Sequence, residues 1–244
     1  MITVIIEFIS GILILSLGVI IRIRNEEGTI IPKLFSNSLF MFSADVITVG
    51  IGLLSVTSYD LLLAISKIFL GLAIYYLYRI TLEINPQRSL GISLLLYSGP
   101  VLYIIDGIST LIFPVYLKSI HSLHILTISH SSLAVYINDV VSILLFLMVI
   151  ASFLVLSFKF RGESTIREKT LFIALGLFVA VLLELLPSFV HNNIFIDVIG
   201  SLGNFFGLLI VSIKLIPQKN DMSQPGQKRY CIIYINCKTG MGYS

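Results

Sequence analysis

Charge is what this sequence has least of. Among 244 residues, 12% are charged and 57% are hydrophobic. Soluble domains carry about 25% charged residues, so a water-soluble globule is excluded, and the same hydrophobicity excludes intrinsic disorder. Tryptophan is absent and there are two cysteines, Cys231 and Cys237. Both stand in the C-terminal region, so no disulfide framework staples the apolar part, and their spacing does not suit a zinc knuckle. A Gly-rich phosphate loop, Gly-x-Ser-x-Gly and His-Glu-x-x-His are all missing, and no enzymatic activity is expected. The net charge of +3 calls for no nucleic-acid partner. The first apolar run has no basic leader and no small-residue cleavage pattern, so it reads as a retained helix.

What fills the chain is apolar runs of membrane-spanning length, about 20 residues each. Seven are expected, at 2–21, 35–57, 60–78, 89–114, 132–158, 169–190 and 194–216. The second is diluted by Ser36, Asn37, Ser38, Ser43 and Asp45, and the third is short. Thr57–Tyr59 and Pro187–Asn193 form tight connections. Strand-like alternation at ten-residue spacing does not run through the chain, which disfavours a β-barrel. The fold class is therefore all-α, a polytopic bundle of seven transmembrane helices over 1–216, followed by a short basic tail, 217–244. The tail holds one strand-like run, Tyr230–Ile235, too short to bury a core. The outer loop 115–131, with Ile120-His121-x-Leu123-His124-Ile125-Leu126, is compatible with a short interfacial helix.

Orientation follows from Lys and Arg. Fourteen of the sixteen fall in alternate loops or the tail: Arg22, Arg24, Lys33; Arg79, Arg88; Lys159, Arg161, Arg167, Lys169; Lys214, Lys219, Lys228, Arg229, Lys238. Lys118 alone is on the other side. The N-terminus is thus expected outside and the C-terminus in the cytoplasm, in a multi-pass protein of the cell membrane.

An ionisable group in hydrocarbon costs roughly 2.5–3.5 kcal/mol on insertion scales, so each needs a reason. Glu7, Lys67, Asp106, Asp139 and Glu184 lie five to eight residues in from the outer ends of five spans, with Asp45 deeper. Four acids and one ammonium in one layer require protonation, a cation or water. The functional reading is an outward-facing polar pocket for a cation, protons or a small polar ligand, with Lys67 as counter-ion. The competing reading is a structural ion pair, or interfacial acids misplaced by one turn. His121 and His124 have a metal-compatible spacing if helical, though all four histidines also suit an ordinary interfacial role. Gly203-x3-Gly207 lets helices approach closely, within the chain or in a homo-oligomer. Pro100 is expected to kink the fourth span. No cofactor is implied beyond a possible cation.

Lys214 lies at the inner end of span seven, where an opsin's Schiff-base lysine would not be. The run Arg167-Glu168-Lys169-Thr170-Leu171-Phe172-Ile173-Ala174-Leu175-Gly176, then Leu182–Leu186 around Glu184, then Val198-Ile199-Gly200-Ser201-Leu202-Gly203, resembles the last two spans of seven-transmembrane sensory input modules on prokaryotic signalling proteins. That resemblance implies a sensor or receptor-like module, whose output would pass to a separate cytoplasmic protein. A transporter or channel for a cation or small polar solute is the alternative.

Overall fold

A computed structural model describes residues 2–25, 29–54, 59–85, 97–105, 107–108, 116–120, 125–129, 133–189 and 194–215. Among these, seven helical segments appear: α1 (Ile2–Arg24), α2 (Ile30–Gly52), α3 (Tyr59–Ile84), α4 (97–105 with 107–108), α5 (Leu133–Lys159), α6 (Ser164–Phe189) and α7 (Ile194–Leu215). Three are long and apolar enough to cross a membrane: Val4–Arg24, Ile30–Gly52 and Leu61–Ile84. Their outer surfaces are apolar too, with Ile23, Ile30 and Leu61 exposed by 70%, 56% and 54%, and α5 exposes Val155 and Phe158 in the same way. So much exposed aliphatic and aromatic surface suits lipid rather than water. The protein is a helical membrane protein.

The helices outrun the expected spans. α2 begins five residues before 35 and ends five before 57, α6 begins five before 169, and α3 continues to Ile84, so the third helix is not short. Polar turns carry helices past the apolar core. In α3, Arg79 and Glu83 form an i,i+4 pair at 3.4 Å, which supports the last turns. The interfacial helix expected at 115–131 is corrected. The described residues there are two strands, β1 (Tyr116–Ile120) and β2 (Ile125–Ser129), paired antiparallel with Tyr116 opposite Ser129 and Ile120 opposite Ile125. Ile-Leu-Thr-Ile-Ser is rich in β-branched residues, and that preference prevails over the helical spacing. His121, His124, Arg88 and the tail 217–244, including Tyr230–Ile235, lie outside the described residues.

Packing closes a ring. α1 packs on α2, α2 on α3, α3 on α5, α5 on α6, α6 on α7, and α7 returns to α1. α4 lies against α3, where added Cβ atoms at Gly71 and Gly107 would meet Pro100, Tyr103, Ala64 and Lys67. The α1–α2 seam repeats every seven residues. Gly11 and Gly18 on α1 face Ser43 and Ser36 on α2, whose hydroxyls donate to the Gly11 and Gly18 carbonyls at 2.8 and 2.9 Å. Ser38 donates to the Ala73 carbonyl on α3 at 2.9 Å. The polar dilution of the second span is therefore its packing code: α2 sits between two helices and hydrogen-bonds to both backbones.

The basic residues gather at one end of this ring. Arg22 donates to Asn37 at 3.3 Å, Lys159 to Asn85 at 2.8 Å, and Lys214 pairs with Glu168 while its ammonium lies 4.9 Å from the Phe172 ring. These bonds tie α1 to α2, α5 to the end of α3, and α7 to α6.

α6 and α7 make the closest backbone approach. A Cβ on Gly207 would meet the Gly176 carbonyl oxygen and, at 2.5 Å, the Ala180 Cβ; one on Gly176 would meet the Gly207 oxygen and Val211 Cγ2, each at 2.5 Å. Gly203 is buried one turn away. Gly207→Ala and Gly176→Ala are each expected to cost about 1–3 kcal/mol by overpacking. Gly162, with nothing within 4 Å, should accept Ala within about 0.5 kcal/mol. Melting temperatures in detergent measure all three.

Candidate polar site in the outer half

The interhelical bonds set a common ruler. Ser38 on α2 is level with Ala73 on α3. With the basic end of the helices called inner and the opposite end outer, Asp45 stands seven residues outward on α2 and Lys67 six residues outward on α3, about 10 and 9 Å along the axes at ~1.5 Å per residue. Asp45 and Lys67 are therefore nearly level, both half-buried. Gly107 of α4 joins them, since its added Cβ would lie 3.4 Å from Lys67 Cβ. On α1, the Gly11 carbonyl meets Ser43, two residues inward of Asp45, which brings Ser10 to this level as well.

Glu7 stands one turn further out. Its Cβ is 3.4 Å from where a Gly50 Cβ would be, and Gly50 is five residues beyond Asp45, about 7 Å. Glu7 shares the buried stripe of α1 with Ser10, Ile14, Leu17 and Ile21 at helical spacing. The single expected layer is thus two tiers, Glu7 above and Asp45 with Lys67 below. Glu7, Asp45 and Lys67 each engage a partner. Asp139 is two turns outward of Phe146 in α5 and Glu184 lies in the last two turns of α6. Asp106, and the side chains of Asp139 and Glu184, lie outside the described residues. No group of three or more His, Cys, Asp or Glu that could hold a metal occurs among the described residues.

Two features were missed by reading the sequence. The first is Ser10. Its hydroxyl is fully buried and has no hydrogen-bond partner, an arrangement that costs about 1–3 kcal/mol unless water or a ligand meets it. Its position three residues after Glu7, on the same face, was a readable signal. The second is an aromatic layer one turn inward of the Asp45–Lys67 tier. Phe42 and Phe146 stack with centroids 6.3 Å apart, and Tyr103 meets Phe146 edge-on at 6.4 Å. The three come from α2, α5 and α4 and are 3%, 8% and 1% exposed. They form a buried aromatic cluster one turn from the polar groups. Phe42 and Tyr103 are three and four residues from Asp45 and Gly107, so helical geometry alone places aromatic and polar groups in successive layers.

Compared with known proteins, the chain matches no family model and no curated sequence. The site's chemistry therefore rests on its own residues. Acidic groups, an ammonium and a hydroxyl above an apolar floor can hold a small charged or strongly hydrogen-bonding species.

Lys67→Met should destabilise the protein by about 3 kcal/mol, because acids lose their counter-charge in a low-dielectric setting. Asp106 is the partner expected for Lys67 from their similar depths in the sequence. Adding Asp106→Asn should recover part of the loss, a coupling of about 1–3 kcal/mol in a double-mutant cycle on thermal unfolding. Strictly additive losses would separate the two residues.

Proposed function

We propose that this chain is a receptor-like sensor of the cell membrane, crossing it seven times with the N-terminus outside and the C-terminus in the cytoplasm. Its ligand is a cation or small polar molecule, held in an outward-facing pocket by Glu7, Lys67, Asp106, Asp139 and Glu184, with Asp45 and Ser10 at its base. The observation that carries this reading is the aromatic layer of Phe42, Tyr103 and Phe146 beneath the polar tier. A pocket with a closed floor binds its ligand; a conduction path needs polar groups continuing through the middle.

Support for the orientation comes from the gathering of Arg22, Arg24, Lys33, Arg79, Lys159, Lys169 and Lys214 at one end of the helices, as expected for the cytoplasmic side. A ligand bound between α1, α2, α3 and α4 stabilises whichever packing it fits best, and the inner ends of those helices carry the change. Output then passes to a separate cytoplasmic protein. The polar tier also suits a transporter or channel for a cation or small polar solute, and a flux measurement separates the two.

Orientation is tested with Cys231 and Cys237 replaced by Ser. Ser58→Cys should react with an impermeant thiol reagent from outside, and Glu163→Cys only after the membrane is opened. Outside labelling at Glu163→Cys would overturn the topology. Binding is tested by melting temperature against sodium, potassium, calcium and magnesium. One cation at 100 times its Kd should add about 2.7 kcal/mol of stability, an effect lost in Glu7→Gln. Proteoliposomes should show no flux of that cation above empty vesicles. Flux would establish the transporter reading, and absence of any stabilisation would remove the cation.

A further inference from the structure

The cytoplasmic half of the bundle looks dry in sequence, since its span interiors carry almost no ionisable residues, yet it buries hydroxyls from several helices. Tyr78 on α3 is fully buried, and its phenolic oxygen has no hydrogen-bond partner. It lies two turns toward the bundle centre from Asn85, which accepts a bond from Lys159. Ser157 is two residues before Lys159 on α5, and is 5% exposed. On the far side, Thr170 and Ser212 are fully buried and each stands two residues inside the Glu168–Lys214 pair, on α6 and α7. All four hydroxyls thus lie within two turns of the same polar collar, about 3–10 Å from it at ~1.5 Å per residue.

Their bonding state is asymmetric. Thr170 donates to its own helix, to the Ile166 and Arg167 carbonyls at 2.9 and 3.0 Å, and Ser212 donates to the Leu208 carbonyl at 2.7 Å. Each spends its single hydrogen and retains acceptor capacity on oxygen. Tyr78, in the same buried core cluster, has an unspent donor. A buried phenol left without a partner is costly, whereas one or two waters between a donor and nearby acceptors satisfy both. Direct contact is not the explanation, because no bond joins Tyr78 to another side chain.

We infer that the bundle contains a second polar site, on the cytoplasmic side of the Phe42–Tyr103–Phe146 layer, where internal water is hydrogen-bonded to the Tyr78 hydroxyl amid Ser157, Thr170 and Ser212. The site is separate from the outer pocket and stands whether or not that pocket binds a ligand. It also gives the inner half a packing that rearranges by moving water rather than by opening a dry core. That use rests on the receptor reading, because α3 carries both Lys67 and Tyr78 on its inward stripe, three turns apart.

Two measurements on the full chain in detergent test the site. In hydroxyl-radical footprinting, where bound water generates the radical, Tyr78 should be oxidised at least tenfold faster than Phe153, which is equally buried but has no polar atom. This readout uses the wild-type protein and does not depend on a variant folding. Tyr78→Phe should then lower the melting temperature by several degrees, since it removes a bond and strands the water. A Tyr78 as silent as Phe153, or a Tyr78→Phe variant that melts higher than wild type, overturns the inference, because either result describes a phenol in a dry core.

Discussion

A hydrocarbon bilayer offers no hydrogen-bond partners, so every buried polar group in this chain must find one inside the protein. The helices satisfy their own backbones. The remaining burden falls on side-chain hydroxyls, and α2 answers it by turning Ser36 and Ser43 to the α1 backbone and Ser38 to the α3 backbone. Small residues opposite those serines, Gly18, Gly11 and Ala73, bring the backbones close enough for the bonds to form. Each such bond contributes only about 0.6 kcal/mol on average between membrane helices. Their larger effect is register, since a slip of one residue along α2 would leave all three hydroxyls unmatched.

That register decides what else meets. Once Ser38 is level with Ala73, Asp45 and Lys67 stand at nearly the same height, and Gly107 brings α4 against Lys67. Once Ser43 is level with Gly11, Ser10 joins the same tier and Glu7 rises one turn above it. The aromatic residues one turn inward then form a floor. Polar groups above, an apolar barrier in the middle and hydrogen-bonded cations at the inner rim follow from one pattern of interhelical bonds. That separation is what supports the proposed reading of ligand binding over conduction.

Much of this arrangement was legible in the chain. Apolar runs marked the helices, and the basic residues marked one end of them. Gly207 was visible as a close-packing residue, although its partner Gly176 on α6 was not. The heptad spacing of Gly11 and Gly18 and of Ser36, Ser43 and Gly50 was equally open to inspection, but serines in an apolar run read first as dilution. Register between helices was not legible, because it depends on which serine meets which carbonyl. That is why Lys67 was expected level with Glu7 and lies level with Asp45. The hairpin at 116–129 was hidden for a different reason. Its Ile and Leu positions fit a three-residue and a two-residue period at once, and over five residues only the partner strand separates them.

Water accessibility along the bundle axis bears most directly on this division. With Cys231 and Cys237 replaced by Ser, single cysteines at Glu7, Ser10, Phe42 and Phe153 sample the upper tier, the lower tier, the aromatic layer and the inner core. An impermeant thiol reagent applied from outside should react at half-buried Glu7→Cys, slow sharply at the buried Ser10→Cys and Phe42→Cys and fail at Phe153→Cys. Comparable reaction at Phe153→Cys would reveal a continuous path and contradict the closed floor. No reaction at Glu7→Cys would contradict the pocket itself.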